Sequence, residues 1–316
     1  MKRLSLMCLL GFLAAACLLL AVQVEHPKLP EPFSTPSVNN HSRVIPRPEG
    51  ATLNLPKGFQ IELYAKGFER PRFMLEGPNH EIFLTDSIES GSVFLLKDEN
   101  KDFKADSKQK ILTGLDRPYG LAFWNGYLYV AEATSLKRYK YDSKGLKVES
   151  KGEEVVSLKT FGKGHWTRTV LFDPKGEKMY LTVGSASNVD AGEDAMRAAI
   201  HRFNPDGTAP EIVAAGVRNV IGLRWYPETE TLWAAVQERD GLGDDLVPDY
   251  FTAIRFGGFY GWPYAYLGAH EDPRRKGERP DLVAKTLVPD VWLGAHVAVL
   301  DALFYTGNQF YATISL

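Results

Sequence analysis

Short apolar strands separated by turns recur along the chain. In each copy a basic or proline-bearing start leads to an aliphatic strand, a turn and a second strand that is rich in aromatic residues. The copies begin at Arg70, Arg117, Thr167, Arg218 and Ala298. Glycine in the turn, with aromatic and β-branched residues on both sides, is typical of β-hairpins. The pattern predicts consecutive hairpins, and only residues 193–200 (EDAMRAAI) could form a short helix.

The hairpins repeat at a nearly constant interval. The leucines that align the copies are Leu75, Leu121, Leu171, Leu223 and Leu303, at spacings of 46, 50, 52 and 80 residues. Repeats of about 40–50 residues built from short strands are typical of β-propellers, whose blades bury both faces against their neighbours. A β-sandwich of unrelated hairpins is the alternative, but the same start recurring in register favours a propeller. The long gap, residues 237–296, is expected to hold the rest of one blade and a large loop.

The N-terminal residues differ from the rest of the chain. Lys2 and Arg3 precede a charge-free apolar run over residues 4–22, which is typical of an export signal or an uncleaved membrane anchor. The proline-rich residues 23–50 predict an extended linker. The expected organisation is a leader over 1–22, this linker, and a propeller over 51–316. The protein is expected to be exported to the periplasm or beyond, with a membrane tether if residues 4–22 are retained.

Composition narrows the possible chemistry. The chain is 44% hydrophobic and 24% charged with a net charge of −2, an ordinary globular composition without the clustered basic excess of nucleic-acid-binding proteins. Both cysteines, Cys8 and Cys17, lie in the leader. The predicted propeller therefore has no disulfide, thiolate metal site or cysteine nucleophile. Dinucleotide-binding, P-loop, HExxH and GxSxG motifs are also absent from the sequence.

Polar residues at the starts of the copies could carry chemistry. His165, in GKGHWTRTVLF, could act as a base, although a turn histidine is the simpler interpretation. Arg218 and Asn219 open the fourth copy, and Arg117 lies at the equivalent place in the second. Guanidinium groups bind carboxylate or quinone oxygens well, but they also form ordinary salt bridges. If the propeller is correct, these cations converge at one channel mouth, where they would suit a polyanionic ligand.

Two further stretches lie in the long gap. ERDGLGDD, residues 238–245, combines four acidic side chains with two glycines, and it resembles either an oxygen-rich Ca²⁺ loop or a solvated acidic loop. It lacks the spacing of an EF-hand. GGFYGWPY, residues 257–264, offers flat aromatic faces that could line a pocket or pack between blades.

These segments resemble the soluble glucose/sorbosone dehydrogenase family. The similarity is carried by GHWTRTVLFDPKGEKMYLTVGS, by AAGVRNVIGLRWYPETETLWAAVQERDGLGDDLVPDYFTAI and by GGFYGWPY, and it covers about residues 50–310. It is closer to the sorbosone-dehydrogenase branch. The resemblance implies a six-bladed β-propeller that uses pyrroloquinoline quinone (PQQ) and Ca²⁺. It also implies a quinoprotein oxidoreductase that passes electrons from the CH–OH or aldehyde group of a sugar to an external acceptor.

The resemblance also implies roles for individual residues. His165 matches the base that removes the substrate's hydroxyl proton. The positions that match cofactor contacts are Arg218 and Asn219, together with Arg117 and Tyr119 by a looser match. The positions that match the Ca²⁺ loop and its acidic pair are Arg239, Asp240, Gly241, Asp244 and Asp245.

Two departures from the family pattern bear on activity. Glucose-oxidising members place an aspartate where Ser185 stands here, and a serine cannot stabilise an imidazolium by charge. The family also continues into another blade, whereas this sequence ends at YATISL; a truncated, inactive homologue or an unusual closure is expected. The rival functions are a non-catalytic propeller that binds protein or carbohydrate, and a Ca²⁺-dependent lactonase-type hydrolase, which would require carboxylates on the channel axis instead of His and Arg.

Overall fold

The computed structural model describes residues 26–308, which form β-sheets arranged as blades. The predicted leader over 1–22 lies outside the described residues. Blade A has the order β1-β2-β3-β4, with strands β1 (Pro71–Glu76), β2 (Ile82–Asp86), β3 (Gly91–Lys97) and β4 (Ser107–Leu115). Blade B contains β5 (Leu121–Trp124), β6 (Tyr127–Ala131), β7 (Ser135–Asp142), β8 (Lys147–Val148) and β9 (Glu153–Ser157), and both β8 and β9 pair with β7.

Blade C follows a single turn of 3₁₀ helix at Lys159–Phe161. Its strands are β10 (Val170–Phe172), β11 (Met179–Val183), β12 (Ala199–Phe203) and β13 (Glu211–Ala215). Blade D contains β14 (Asn219–Trp225), β15 (Leu232–Gln237) and β16 (Pro248–Ala253). The first four copies of the sequence repeat form the first two strands of these four blades. Residues 193–200, the segment that could form a short helix, do not form one: Ala199 and Ile200 are buried in β12, and the backbone N–H of Arg197 donates to the Asp194 carbonyl in a turn.

The long gap is expected from the sequence to hold the rest of one blade and a large loop, but it completes two blades. Besides β16, the elements within it are β17 (Gly258–Phe259), β18 (Ala265–Tyr266), β19 (His270–Glu271), a 3₁₀ turn at Pro273–Arg275, α1 (Pro280–Val283) and β20 (Val291–Ala295). Strand β17 joins blade C in parallel with β13, and β20 joins blade D beside β16. Within residues 26–308, no helix has the length and apolar character needed to cross a membrane.

The hydrophobic core lies between neighbouring blades. Phe83 of blade A packs with Leu128 of blade B, and Tyr129 of blade B packs with Leu181 of blade C. A third cluster joins blades C and D. Because each blade buries its faces against the next, the inner strands β1, β5, β10 and β14 lie side by side, and the residues before β5, β10 and β14 are brought to one end.

The described residues contain four blades, whereas the resemblance predicts six. In the fifth copy of the repeat, residues 298–308 form no strand, and the remainder of that copy lies outside the described residues. The segment lies against blade D through side-chain contacts instead of a strand ladder: Gln237 donates to Val299, Arg224 pairs with Asp301, and Phe304 packs on Trp233.

Part of the proline-rich N-terminal segment also packs on blade D. The ring of His26 stacks on Trp292 with centroids 4.2 Å apart. The backbone N–H of Phe33 donates to the Leu242 carbonyl at 2.7 Å, and that of Val38 donates to the Asp244 carboxylate at 2.8 Å. The linker predicted over residues 23–50 therefore contacts the propeller in its described N-terminal part, whereas residues 39–50 are exposed.

Candidate functional site

His165 lies in the turn that leads into β10. The preceding Gly164 has a φ of +75°, and a Cβ on it would lie 2.4 Å from the backbone of Ala186, so this turn requires glycine. The backbone N–H of His165 donates to the Ser185 carbonyl at 3.0 Å. The turn therefore fixes His165 against the end of β11 within blade C.

The imidazole ring of His165 is oriented by Ser185. Its Nδ1 lies 2.9 Å from the Ser185 carbonyl oxygen and 3.0 Å from Ser185 Oγ, which itself donates to Ser187 O. A carbonyl oxygen can only accept a hydrogen bond, so Nδ1 of the neutral ring carries the proton. Nε2 then keeps its lone pair, as a general base requires.

The environment of His165 keeps its imidazole neutral. Burial, and after it the nearby charge of Arg218, lowers the pKa of His165 to about 4. Near neutral pH the ring is therefore unprotonated and able to accept a proton. Ser185 accordingly orients the ring without supplying the charge that an aspartate would.

Arg218 and Asn219 of blade D lie beside this turn, as the propeller prediction requires. The Ser185 N–H donates to the Arg218 carbonyl at 2.8 Å. A Cβ on Gly184 would lie 2.6 Å from His165 Cβ and 2.4 Å from Asn219 Oδ1, so the histidine and the amide approach each other across a glycine. The sequence-predicted pair from consecutive blades therefore converges at one end of the molecule.

The polar groups of Arg218 and Asn219 are only partly paired with protein. The Arg218 guanidinium donates to Asn188 O at 3.1 Å, to Asn188 Oδ1 at 3.0 Å and to Glu238 O at 2.6 Å. Its nearest carboxylate oxygen is Asp240 Oδ2, at 3.7 Å. Asn219 donates to Gln237 Oε1 at 3.0 Å, and its own Oδ1 is buried without a partner among the described residues. An unpaired buried acceptor beside a cation is suited to a polar ligand.

Arg117 and Tyr119, which precede β5 of blade B, lie at different places relative to the site. The Arg117 guanidinium donates to the Gly162 carbonyl at 3.2 Å, which places it beside the His165 turn, and it is paired with Asp116. Tyr119 is buried, and burial raises its pKa to about 12. Its ring packs edge-on against Trp166 and its hydroxyl donates to Leu300 O at 3.4 Å. Tyr119 thus packs beneath the site, whereas Arg117 borders it.

Several oxygen atoms of the predicted metal loop, residues 239–245, accept hydrogen bonds from other parts of the protein. Asp240 O accepts from Asn188 at 2.9 Å and from Arg274 at 2.8 Å. Gly243 O accepts from His296 at 3.0 Å, and the Asp244 carboxylate turns toward Val38. Gly241, at a φ of +88°, is backed by the Arg274 guanidinium.

The remaining predicted metal residues do not form a cation cage. The side chain of Arg239 is fully buried and donates to Pro263 O, Ala265 O and Asp272. Asp245 is exposed at the surface. Across residues 26–308 there is no group of three or more His, Cys, Asp or Glu side chains that could hold a metal ion. Asparagine, arginine and histidine donors occupy the carbonyl oxygens of Asp240 and Gly243, so these two oxygens are not free to bind the Ca²⁺ that the resemblance implied.

Asn188 and Arg197 contribute to the site without a local sequence signal, whereas Trp262 lies in a stretch that the sequence singles out. Asn188, in the loop after β11, binds Arg218 and Asp240 through both ends of its side chain. Arg197 donates to Gly184 O at 3.1 Å. Trp262 of the GGFYGWPY stretch is buried and donates to Asn188 O at 2.8 Å, so this aromatic packs behind the site instead of lining a pocket. These roles follow from tertiary contacts between residues 13 to 74 positions apart in the sequence.

Comparison with known proteins agrees with this architecture. The PQQ domain of pyranose dehydrogenase from Coprinopsis cinerea, in its holo form, has a TM-score of 0.69 at 18% identity over 83% of this chain and 74% of that chain. A calcium structure of the family AA12 enzyme of Trichoderma reesei has a TM-score of 0.65 at 19% identity, covering 76% and 71%. The apo aldose sugar dehydrogenase of Escherichia coli has a TM-score of 0.59 at 17% identity, covering 77% of each chain. At these identities the likeness shows the propeller fold.

Sequence comparison identifies the family. An uncharacterized protein of Borreliella burgdorferi is 27% identical over 275 residues, which cover 82% of this chain and 69% of that protein. A family model described as TrAA12-like matches residues 53–247, which is more than half of the chain. This agrees with the resemblance to glucose/sorbosone dehydrogenases seen in the sequence. The chain belongs to the TrAA12-like family.

Proposed function

We propose that this protein is a quinoprotein dehydrogenase that oxidises a sugar, with PQQ as its cofactor and His165 as the base. The observation that carries the proposal is the imidazole of His165, whose Nδ1 is held by Ser185 while Nε2 has no protein partner within the described chain. Family membership and the PQQ-binding propellers among its structural neighbours support the same class of reaction.

The residues around His165 fit an anionic, hydrogen-bonding cofactor. The guanidinium groups of Arg117 and Arg218 reach the turns beside His165, and a guanidinium binds carboxylates and quinone oxygens. Asn219 Oδ1 lacks a partner among the described residues and could accept from a donor on the cofactor. Arg117, Arg218 and Asn219 would therefore hold PQQ, with His165 facing the substrate.

The proposed reaction divides the work between cofactor and protein. When bound, PQQ would supply the acceptor for the hydride that leaves the substrate carbon. The proton of the substrate hydroxyl would pass to His165 Nε2, and the carbon–oxygen double bond forms as the O–H and C–H bonds break. Ser185 keeps the accepting nitrogen turned outward, and burial keeps it unprotonated between turnovers. An external electron acceptor would be needed to reoxidise the cofactor.

No step is assigned to Ca²⁺. The family resemblance suggests this ion, and a calcium structure is known for the Trichoderma reesei relative. In this chain, however, the loop at 239–245 directs its oxygens to arginine, histidine and backbone donors. Cofactor binding is therefore expected from the guanidinium and amide groups alone.

Export is part of the proposal. It rests on the apolar residues 4–22 behind Lys2 and Arg3, an arrangement typical of signal sequences and anchors. We expect the protein in the periplasmic or extracellular fraction, or held at a membrane through these residues. Fractionation of cells that express the full chain, with antibody detection, checks this; protein confined to the cytoplasm contradicts it.

Cofactor binding and turnover of the purified full chain test the function. We expect saturable PQQ binding by calorimetry, with and without Ca²⁺, and PQQ-dependent reduction of a redox dye with at least one sugar from an aldose panel. Folded protein that binds PQQ but reduces no dye would favour a non-catalytic propeller. Folded protein that does not bind PQQ at all would exclude a quinoprotein, and lactone hydrolysis in the same sample would support the hydrolase alternative.

A further inference from the structure

Arg168 is a buried cation without an acidic partner. Its side chain is 0% exposed, and no carboxylate in the described part of the chain lies within 4.0 Å of its guanidinium. Burial, together with the charges of Arg197 and Arg117, lowers the pKa of Arg168 to about 9, and the more distant charge of Asp116 opposes this shift. Burying an unpaired charge is costly, so the surrounding fold must hold this group in place.

The guanidinium of Arg168 binds three carbonyl oxygens that bracket the candidate base. It donates to Phe161 O at 2.6 Å, to His165 O at 2.7 Å and to Thr167 O at 2.8 Å. These carbonyls span the chain from the end of the 3₁₀ turn to the residues before β10. The planar guanidinium therefore holds these three carbonyls in a fixed relative geometry, which a flexible lysine ammonium group would hold less firmly.

The two sides of the His165 residue are thus anchored separately. Ser185 fixes its backbone N–H and ring Nδ1, whereas Arg168 fixes its carbonyl. Arg197 and Arg117 extend the arrangement, because they donate to Gly184 O at 3.1 Å and to Gly162 O at 3.2 Å. Guanidinium groups therefore hold carbonyls of the turns on both sides of the imidazole, and the Glu193 carboxylate accepts from the backbone N–H groups of Ala186 and Ser187.

The charges that face His165 come from several elements. Arg218 approaches from blade D, Asp240 from the loop after β15, and Arg168 from the segment of His165 itself. Two of the three are cations. A positive surrounding disfavours the imidazolium and favours the neutral ring, which is the form that can remove a proton.

We propose that Arg168 is a positioning residue for His165: its guanidinium holds the 161–167 turn so that Nδ1 stays on Ser185 and Nε2 stays free toward the substrate. The catalytic purpose of this arrangement rests on the proposed function. The orientation of the His165 ring can be measured without turnover. Arg168 touches neither the substrate nor the cofactor in this role.

The test compares Arg168→Met, which removes both charge and fork, with Arg168→Lys, which keeps only the charge. Arg202→Lys is the matched control, because Arg202 lies in the same blade and pairs with Glu211 at the surface. The first readout is the ¹⁵N NMR pattern of the His165 ring in protein without cofactor. We expect the Nδ1–H tautomer in wild type and the control, and a mixture of tautomers in Arg168→Met.

The second readout is turnover of the PQQ-loaded protein. Misplacing a catalytic group by about 1 Å costs about 100-fold in rate, so we expect kcat of Arg168→Met to fall by about that factor. KM for the sugar should stay within about threefold of wild type, because substrate binding is not removed. Arg168→Lys should recover only part of the rate.

The outcomes separate the two proposals. Folded Arg168→Met with the wild-type ring pattern and rate overturns the positioning role; if that variant does not fold, the same result in Arg168→Lys overturns it. Wild-type protein without PQQ-dependent turnover would remove the proposed function, whereas the NMR comparison would still decide whether Arg168 orients the ring.

Discussion

Nδ1 of His165 lies 2.9 Å from the carbonyl oxygen of Ser185, across the first hairpin of blade C. This one contact fixes which ring nitrogen carries the proton, because the carbonyl can only accept. An aspartate at position 185 would orient the ring and also stabilise its charged form. Ser185 performs only the first task, so the base here has to work in an environment that favours the neutral ring.

Replacing His165 by alanine should abolish turnover and spare cofactor binding. General-base catalysis contributes a factor of about 10² to 10⁴ to the rate. We therefore expect kcat to decrease by a factor in that range, while the Kd for PQQ stays nearly unchanged. Dye reduction and calorimetry measure the two quantities. His80→Ala, which removes an exposed histidine of blade A, is the control. Turnover preserved in His165→Ala would place the base elsewhere.

The stability of the protein should depend on pH through His165. Its pKa is lowered from 6.5 to about 4 in the folded state, so the unfolded chain binds a proton more readily. The contribution is fully present above about pH 6.5 and is lost as the pH falls toward 4, by roughly 2 to 3 kcal/mol.

Urea unfolding at pH 7.5 and at pH 4.5 measures this loss. His165→Gln removes the titrating group, so the pH dependence of its unfolding free energy should be smaller than that of wild type over this interval. His201, which is also buried with a lowered pKa, should account for part of the remaining slope. Identical slopes for wild type and His165→Gln would contradict the depressed pKa of His165.

Replacing Arg218 by lysine should weaken PQQ binding. The guanidinium uses three nitrogen atoms to span Asn188 and Glu238, and an ammonium group cannot reproduce that fork. We expect the Kd for PQQ to rise by about tenfold or more, equivalent to about 1.4 kcal/mol. Arg138→Lys, at an arginine paired with Glu153 on blade B, should leave Kd unchanged. Equal affinities in the two variants would remove Arg218 from the cofactor site.

Shortening a side chain between blades should destabilise the whole propeller. Leu181 is 0% exposed in the cluster that joins blades B and C, and Leu→Ala changes at such positions cost about 2–5 kcal/mol. Leu303→Ala, at a residue that is 82% exposed, should change the unfolding free energy by less than about 0.5 kcal/mol. Urea unfolding compares the two. A small effect at Leu181 would show that blades B and C are not packed as described.

Local pattern determined the strands of the first four hairpins. Apolar and aromatic residues such as VLF and MYLTV on both sides of a turn indicate β10 and β11, because the two strands of a hairpin pair through contacts close in sequence. The fifth copy has a similar pattern, yet residues 298–308 form no strand. A strand also needs a partner with which to form a ladder, and here Val299 and Asp301 contact blade D through side chains instead.

The sequence by itself also singled out His165, Arg218 and Asn219, because each lies at the start of a recognisable copy. What surrounds them was decided only by the tertiary structure. Asn188 and Arg197 reach the site from more than 20 residues away from His165, and Arg274 donates to the loop that the sequence assigned to a cation. Such contacts depend on how the blades and loops pack, and a short-range pattern of apolar and polar residues does not encode that packing.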